Sequence, residues 1–156
     1  MRLGIVDGCV SVCSNICVTT KGRILAIDYG EKHIGLACTD ELGLTVRPLP
    51  SVRNAGKRNL LKMLRAVIQT MGIREIVLGI PINMDGTRGD AVIRMERLQK
   101  VLEAGLQIPF IGVDEALSTV EATEFWKNMN SRQQKKYRTV DSLAAALILE
   151  RYLKEN

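Results

Sequence analysis

The chain has 156 residues, of which 46% are hydrophobic and 25% charged, with a formal net charge of +5. That length suits one globular domain with a normal core, and those proportions exclude a disordered or fibrous protein. The aromatic share of 4% argues against a surface built to stack many bases, while the positive charge mildly favours a polyanionic partner.

Residues 1–21 read as an extension outside the fold. Asp7, Ser11, Ser14 and Asn15 interrupt the apolar run behind Arg2, which makes a poor signal peptide. No stretch reaches the roughly 18 apolar residues of a membrane span. The expectation is a cytoplasmic protein with no membrane partner. Cys9, Cys13 and Cys17 lie in the extension and Cys38 beyond it. Their spacing fits no zinc pattern, and a single histidine, His33, is there to help. Ordinary cysteines in a loose extension, or translation that starts near Lys21, are the simpler readings.

The segment RILAIDYG, residues 23–30, reads as a buried strand, and IGLACTD as a second strand after a tight EKH connection. LTVRPLP is a third, framed by Pro48 and Pro50, since proline is confined to strand ends and edges. The three form a meander. Between Asn59 and Met71, Leu60, Leu61, Leu64, Val67 and Ile68 recur at helical spacing, and Gly72 closes the helix. REIVLGI, residues 74–80, is a short buried strand, and PINMDGTRG an exposed loop. AVIRMERLQKVLEAG is a helix closed by Gly105. IPFIGVDE is the last strand. Ser118 and Glu121 form a capping box that opens a helix running to about Asn128. NMNSRQQKKYR, polar and aperiodic, reads as a mobile loop, and TVDSLAAALILERYLK as the last helix. Strands alternating with helices after a meander imply a mixed sheet covered on both faces.

Asp28 sits awkwardly in the first strand. A carboxylate among Ile24, Leu25, Ala26 and Ile27 is costly to bury unless a cation meets it. Asp114 and Glu115 end the last strand, and Asp141 lies in the first turn of the last helix. Parallel strands end at one edge of an open sheet, so these acids can converge. Each also has a bland role: Asp28 as a turn former, Asp114 or Glu115 as preparation for the next helix, Asp141 as a partner of the helix dipole. Asp141, however, shares a helical face with Ala144, Ala145 and Ile148, a face that should lie against the sheet. Clustered carboxylates repel unless a cation neutralises them. Oxygen donors without histidine or cysteine suit Mg²⁺ or Mn²⁺, and two such ions can activate water against a phosphodiester. The basic run from Arg132 to Arg138, with Lys135 and Lys136, would then lie beside the site to hold a backbone. A solvated charge run is its equal alternative. A triad built on His33 is disfavoured, because His33 lies among Glu31, Lys32 and Ile34 just after a turn.

The blocks IDYGEKHIGLACTD, GIPINMDGT, DEALSTVEA and VDSLAAALILE resemble the signature blocks of the YqgF/RuvX family, in the same order, from about Arg23 to Leu153. The resemblance implies an α/β, RNase H-like fold: a mixed five-stranded sheet with helices on both faces, forming one nuclease domain over 22–156. It implies a metal-dependent nuclease similar to RuvC-type resolvases, acting on the 5′ end of pre-16S rRNA or on Holliday junctions, with the ribosome as a further partner. It carries the catalytic and metal-binding roles onto Asp28, Glu115 and Asp141. Asp85 becomes a lesser candidate for substrate or metal, and Asn83 and Arg88 become phosphate contacts. One position departs: the family commonly has arginine after the Asp-Glu pair, where this chain has Ala116, which weakens the expected grip on phosphate. A non-catalytic nucleic-acid or ribosome-binding module is the competing class. An actin-like ATPase needs two such domains, and this chain has room for one. Oligomeric state is not legible, although a four-way junction would call for a symmetric dimer.

Overall fold

The computed structural model describes residues 22–81, 89–114, 118–137 and 139–156. In chain order they form β1 (Arg23–Tyr29), β2 (His33–Thr39), β3 (Val46–Arg53), α1 (Lys57–Met71), β4 (Ile73–Ile80), α2 (Asp90–Leu106), β5 (Phe110–Asp114), α3 (Ser118–Asn128), α4 (Ser131–Tyr137) and α5 (Val140–Glu155). The five strands make one sheet in the order β3-β2-β1-β4-β5. The first three are an antiparallel meander, and β4 and β5 run parallel to β1. Parallel strands buried on both faces read as unbroken apolar runs, which is why β1 and β4 were legible as ILAI and IVLGI.

Side chains alternate across each strand, and the two faces have different covers. Leu25 and Ile27 of β1 pack with Ile76 and Leu78 of β4 beneath Leu60 and Leu64 of α1 and Met95, Leu98 and Leu102 of α2. Ile24, Ala26, Ala37, Val77 and Val113 face Ala145, Ala146, Ile148 and Leu149 of α5. Small residues on α5 let its axis come close to the sheet. Each fully buried leucine or isoleucine contributes roughly 1.5–3 kcal/mol. Ala122 of α3 and Met129 pack on Leu143 and Ala144, so of the face expected against the sheet Ala145 and Ile148 lie there while Ala144 turns to α3.

Three expectations are corrected. Pro48 and Pro50 lie inside β3, not at its ends. They are tolerated because β3 is the edge of the sheet, where a missing N–H leaves no second neighbour unpaired. Gly105 does not close α2, which runs to Leu106 and is capped by Gln107 at φ 55°, whose N–H reaches the Glu103 carbonyl at 2.9 Å. Gly105 serves close packing instead: a Cβ there would lie 2.8 Å from Leu61 Cδ1 of α1, and its carbonyl accepts a bond from Arg65 Nη2 at 3.0 Å. The segment read as a mobile basic loop contains α4. Asn130 and Gln133 cap it reciprocally, Asn130 N–H to Gln133 Oε1 and Gln133 N–H to Asn130 Oδ1, both at 3.0 Å. This is a capping box with amide side chains. By contrast Gly72 does close α1, at φ 65°, with its N–H on the Ile68 carbonyl. The cysteines of the extension lie outside the described residues.

Candidate functional site

Asp28 is the penultimate residue of β1. It continues the Ile24-Ala26 parity, so its side chain belongs to the α5 face. Its cross-strand partner is Gly35 of β2. A Cβ on Gly35 would run into the backbone carbonyl of Asp141. The first turn of α5 therefore rests directly on the strand residue beside Asp28. This contact brings together two acids separated by most of the chain. Both are half-buried, at the edge where parallel β1 and β4 end.

Several bonds fix α5 in that place. Thr139 is its N-cap, and Thr139 Oγ1 accepts from the Ser142 N–H at 3.1 Å. Ser142, fully buried, donates its hydroxyl to the Leu49 carbonyl of β3 at 2.6 Å. The β2–β3 ladder is irregular just there: Ile34 faces Val52 and Leu36 faces Leu49, so Pro50 and Ser51 share the place opposite Gly35. Such a bulge re-aims the local backbone. Asp141 also sits where a helix dipole favours an acid, so its position at the helix end and its inward setting are compatible.

The remaining expected residues divide. Lys135 is exposed on α4, and Lys136 belongs to the same helix. Glu115, Asn83, Asp85, Arg88, Arg138 and Ala116 lie outside the described residues. Among the described residues no group of three or more His, Cys, Asp or Glu side chains that could hold a metal forms. The described pair, Asp28 and Asp141, is a hard oxygen donor set. Cys38 packs on the opposite face, and burial pushes its thiol up, against smaller opposing effects of Arg47 and Arg23. His33 is exposed at the start of β2. The described pair therefore offers only oxygen donors, which suit a hard divalent cation.

Gly35, Ser142 and Asn54 escaped the sequence reading. Gly35 had a signal, a glycine inside an otherwise apolar strand, which marks close backbone approach. Asn54 fastens the β1–β2 turn: its Nδ2 donates to the Gly30 carbonyl at 2.8 Å, and its Oδ1 accepts the Gly56 N–H at 3.1 Å. A single asparagine after a strand gives no such signal.

The model of the RuvX family, described as Holliday junction resolvase, matches residues 22–155. The chain belongs to the RuvX family. A relative from Syntrophus aciditrophicus (strain SB) is 43% identical over 131 residues, covering 84% of this chain and 87% of the relative. One from Clostridioides difficile (strain 630) is 38% identical over 135 residues, covering 85% and 94%. Both carry the name "Putative pre-16S rRNA nuclease". The crystal structure of the fowlpox virus Holliday junction resolvase is similar in fold, with a TM-score of 0.50 at 13% identity, covering 86% of this chain and 99% of that one. The strand order of this RuvX chain is thus that of an RNase H-like sheet, as the resemblance implied.

Proposed function

We propose that this RuvX-family chain is a metal-dependent nuclease that hydrolyses phosphodiester bonds during 5′-end processing of precursor 16S rRNA. The observation that carries the reading is the seating of Asp141 on Gly35, beside Asp28. The names of the relatives support the substrate. Asp28, Glu115 and Asp141 are the proposed catalytic and metal-binding carboxylates. Glu115 follows directly on β5, whose Val113 faces α5. Mg²⁺ or Mn²⁺, as two ions, would supply an activated water and charge compensation at the leaving oxygen. The chain's own task is placement: Gly35 and Ser142 hold α5 so that Asp141 cannot recede from Asp28. Asn83, Asp85, Arg88, Lys135, Lys136 and Arg138 are the proposed contacts to the nucleic-acid backbone. The nuclease domain is taken as 22–156 with 1–21 outside it, working in the cytoplasm on rRNA at or near the ribosome. Among the described residues no helix is long and apolar enough to cross a membrane.

The family description favours a second substrate, the four-way DNA junction. A side-by-side assay with Mg²⁺ or Mn²⁺ separates the two. Purified protein is offered a pre-16S rRNA 5′ fragment and a four-way junction, with Asp28→Asn and Asp141→Asn proteins as controls. Loss of a metal-activated base or ligand should lower cleavage at least 100-fold. RNA cleavage that vanishes in both variants is the expected result. Paired symmetric nicks in the junction would move the assignment to a resolvase. Full activity in Asp28→Asn would sink the carboxylate site.

A further inference from the structure

A groove of about 620 Å³ opens on the other side of the same sheet edge, a volume in the range of ligand sites. Tyr29, Asn54, Lys57, Arg94 and Arg97 line it, and Glu31 is the one acid among the described lining residues. Tyr29 follows Asp28 directly, and the pleat sends the two to opposite faces: Asp28 toward α5, Tyr29 toward the α1–α2 side. The groove and the proposed carboxylate site are therefore the two sides of one strand end.

The charges in this groove are unexplained by the fold. Lys57, Arg94 and Arg97 are exposed, and none has an ion-pair partner among the described residues. Arg94 and Arg97 are three apart on α2, so they share a face. Lys57 and Arg58 open α1, whose first turn contains no acid and whose N-cap, Gly56, supplies no side-chain bond. A helix dipole disfavours cations at its N-terminus. That cost is sensible if an anion is to lie there. Asn54 holds the β1–β2 turn against the start of α1, so one wall of the groove is pre-formed. Apolar Met95 and Leu98 complete the lining.

We infer that this groove binds a single-stranded run of the nucleic-acid substrate, leading away from the scissile phosphodiester over the end of β1. Lys57, Arg94 and Arg97 meet its phosphates, and Tyr29 offers an aromatic surface to an unstacked base. The inference rests on the nuclease reading for the direction of the strand, but its chemistry is testable alone. The variant Lys57→Gln/Arg94→Gln/Arg97→Gln keeps three long polar side chains at exposed positions and leaves Asp28 and Asp141 untouched.

The measurement is fluorescence anisotropy of full-length protein with labelled single-stranded RNA and DNA oligomers, across a salt series. Each phosphate contact contributes about 0.7 to the slope of log K against log salt, so losing three should lower the slope by about 2. At low salt the affinity should fall roughly 10- to 100-fold, while Lys154→Gln, exposed at the far end of α5, keeps the wild-type slope. An unchanged slope in the triple variant, with folding checked by circular dichroism, would overturn the groove. So would wild-type protein that binds no single strand of either kind, which would direct attention to a protein partner for this face. A normal cleavage rate in Asp28→Asn together with a reduced slope in the triple variant would remove the carboxylate site and leave the groove standing.

Discussion

At Gly35 one hydrogen atom decides whether two acids meet. Its Cβ would occupy the place of the Asp141 carbonyl, so Gly35→Ala forces α5 off the sheet. Overpacking of this kind costs about 1–3 kcal/mol, which in a domain of this size lowers Tm by roughly 2–4 °C per kcal/mol. The larger loss should be in cleavage. A displacement near 1 Å can cost about 100-fold in rate, so a Gly35→Ala protein that melts a few degrees early should cleave at least 100-fold more slowly. Full activity in this variant would mean that the Asp28–Asp141 approach is not what matters. Asp28 was legible in the sequence because a carboxylate in an apolar run demands a reason. Gly35 and Ser142 were not, because their meaning lies in a contact between segments far apart in the chain. The Ser142 hydroxyl finds the Leu49 carbonyl 93 residues away, and no local pattern announces that.

Elements were legible wherever periodicity was strong. The unbroken apolar run of β1, the helical spacing of α1 and the alanine-rich run of α5 all stand in the structure near the expected positions. Helix α4 was not, because SRQQKKY has no apolar stripe to reveal it. Its reason for existing is its cap. Asn130 and Gln133 bond each other's N–H groups, and Gln134 Nε2 ties the helix back to the Trp126 carbonyl at 3.1 Å. Removal of an N-cap costs about 1 kcal/mol, a large share of what a two-turn helix has. Asn130→Ala should therefore raise hydrogen exchange across 131–137 while amides in α5 keep their protection. If protection across α4 is unaltered, packing rather than capping holds it. The order of this segment bears on the proposed backbone contact, because it fixes where Lys135 can reach.

For the whole molecule, the two faces of the sheet carry separate duties. One side is the larger core beneath α1 and α2, and Cys38 is buried within it. The thiolate is the reactive form, and burial pushes the Cys38 thiol up. At pH 8 the folded protein should therefore leave Cys38 unlabelled by a thiol reagent. Labelling, followed peptide by peptide with mass spectrometry, should begin only at the denaturant concentration that unfolds the sheet. Modification of Cys38 under native conditions would show that this core opens locally. The other side is the thinner, alanine-lined contact with α5, and Asp28 and Asp141 lie at its end. The mixed topology was legible from element order alone. The approach of Asp141 to Asp28 was legible only as a possibility, since the depth at which α5 sits depends on Gly35.

The seating of the last helix also governs what an unfinished chain can do. A polypeptide cut short between the end of β5 and residue 140 has Asp28 but neither Asp141 nor the cover over Ile24, Ala26 and Val77. Such a fragment would present a greasy sheet surface, a signal for degradation, while its half-built centre stays harmless to the cell's RNA. An enzyme with this proposed activity is thus armed by α5, and copies terminated before that helix should be both inert and short-lived.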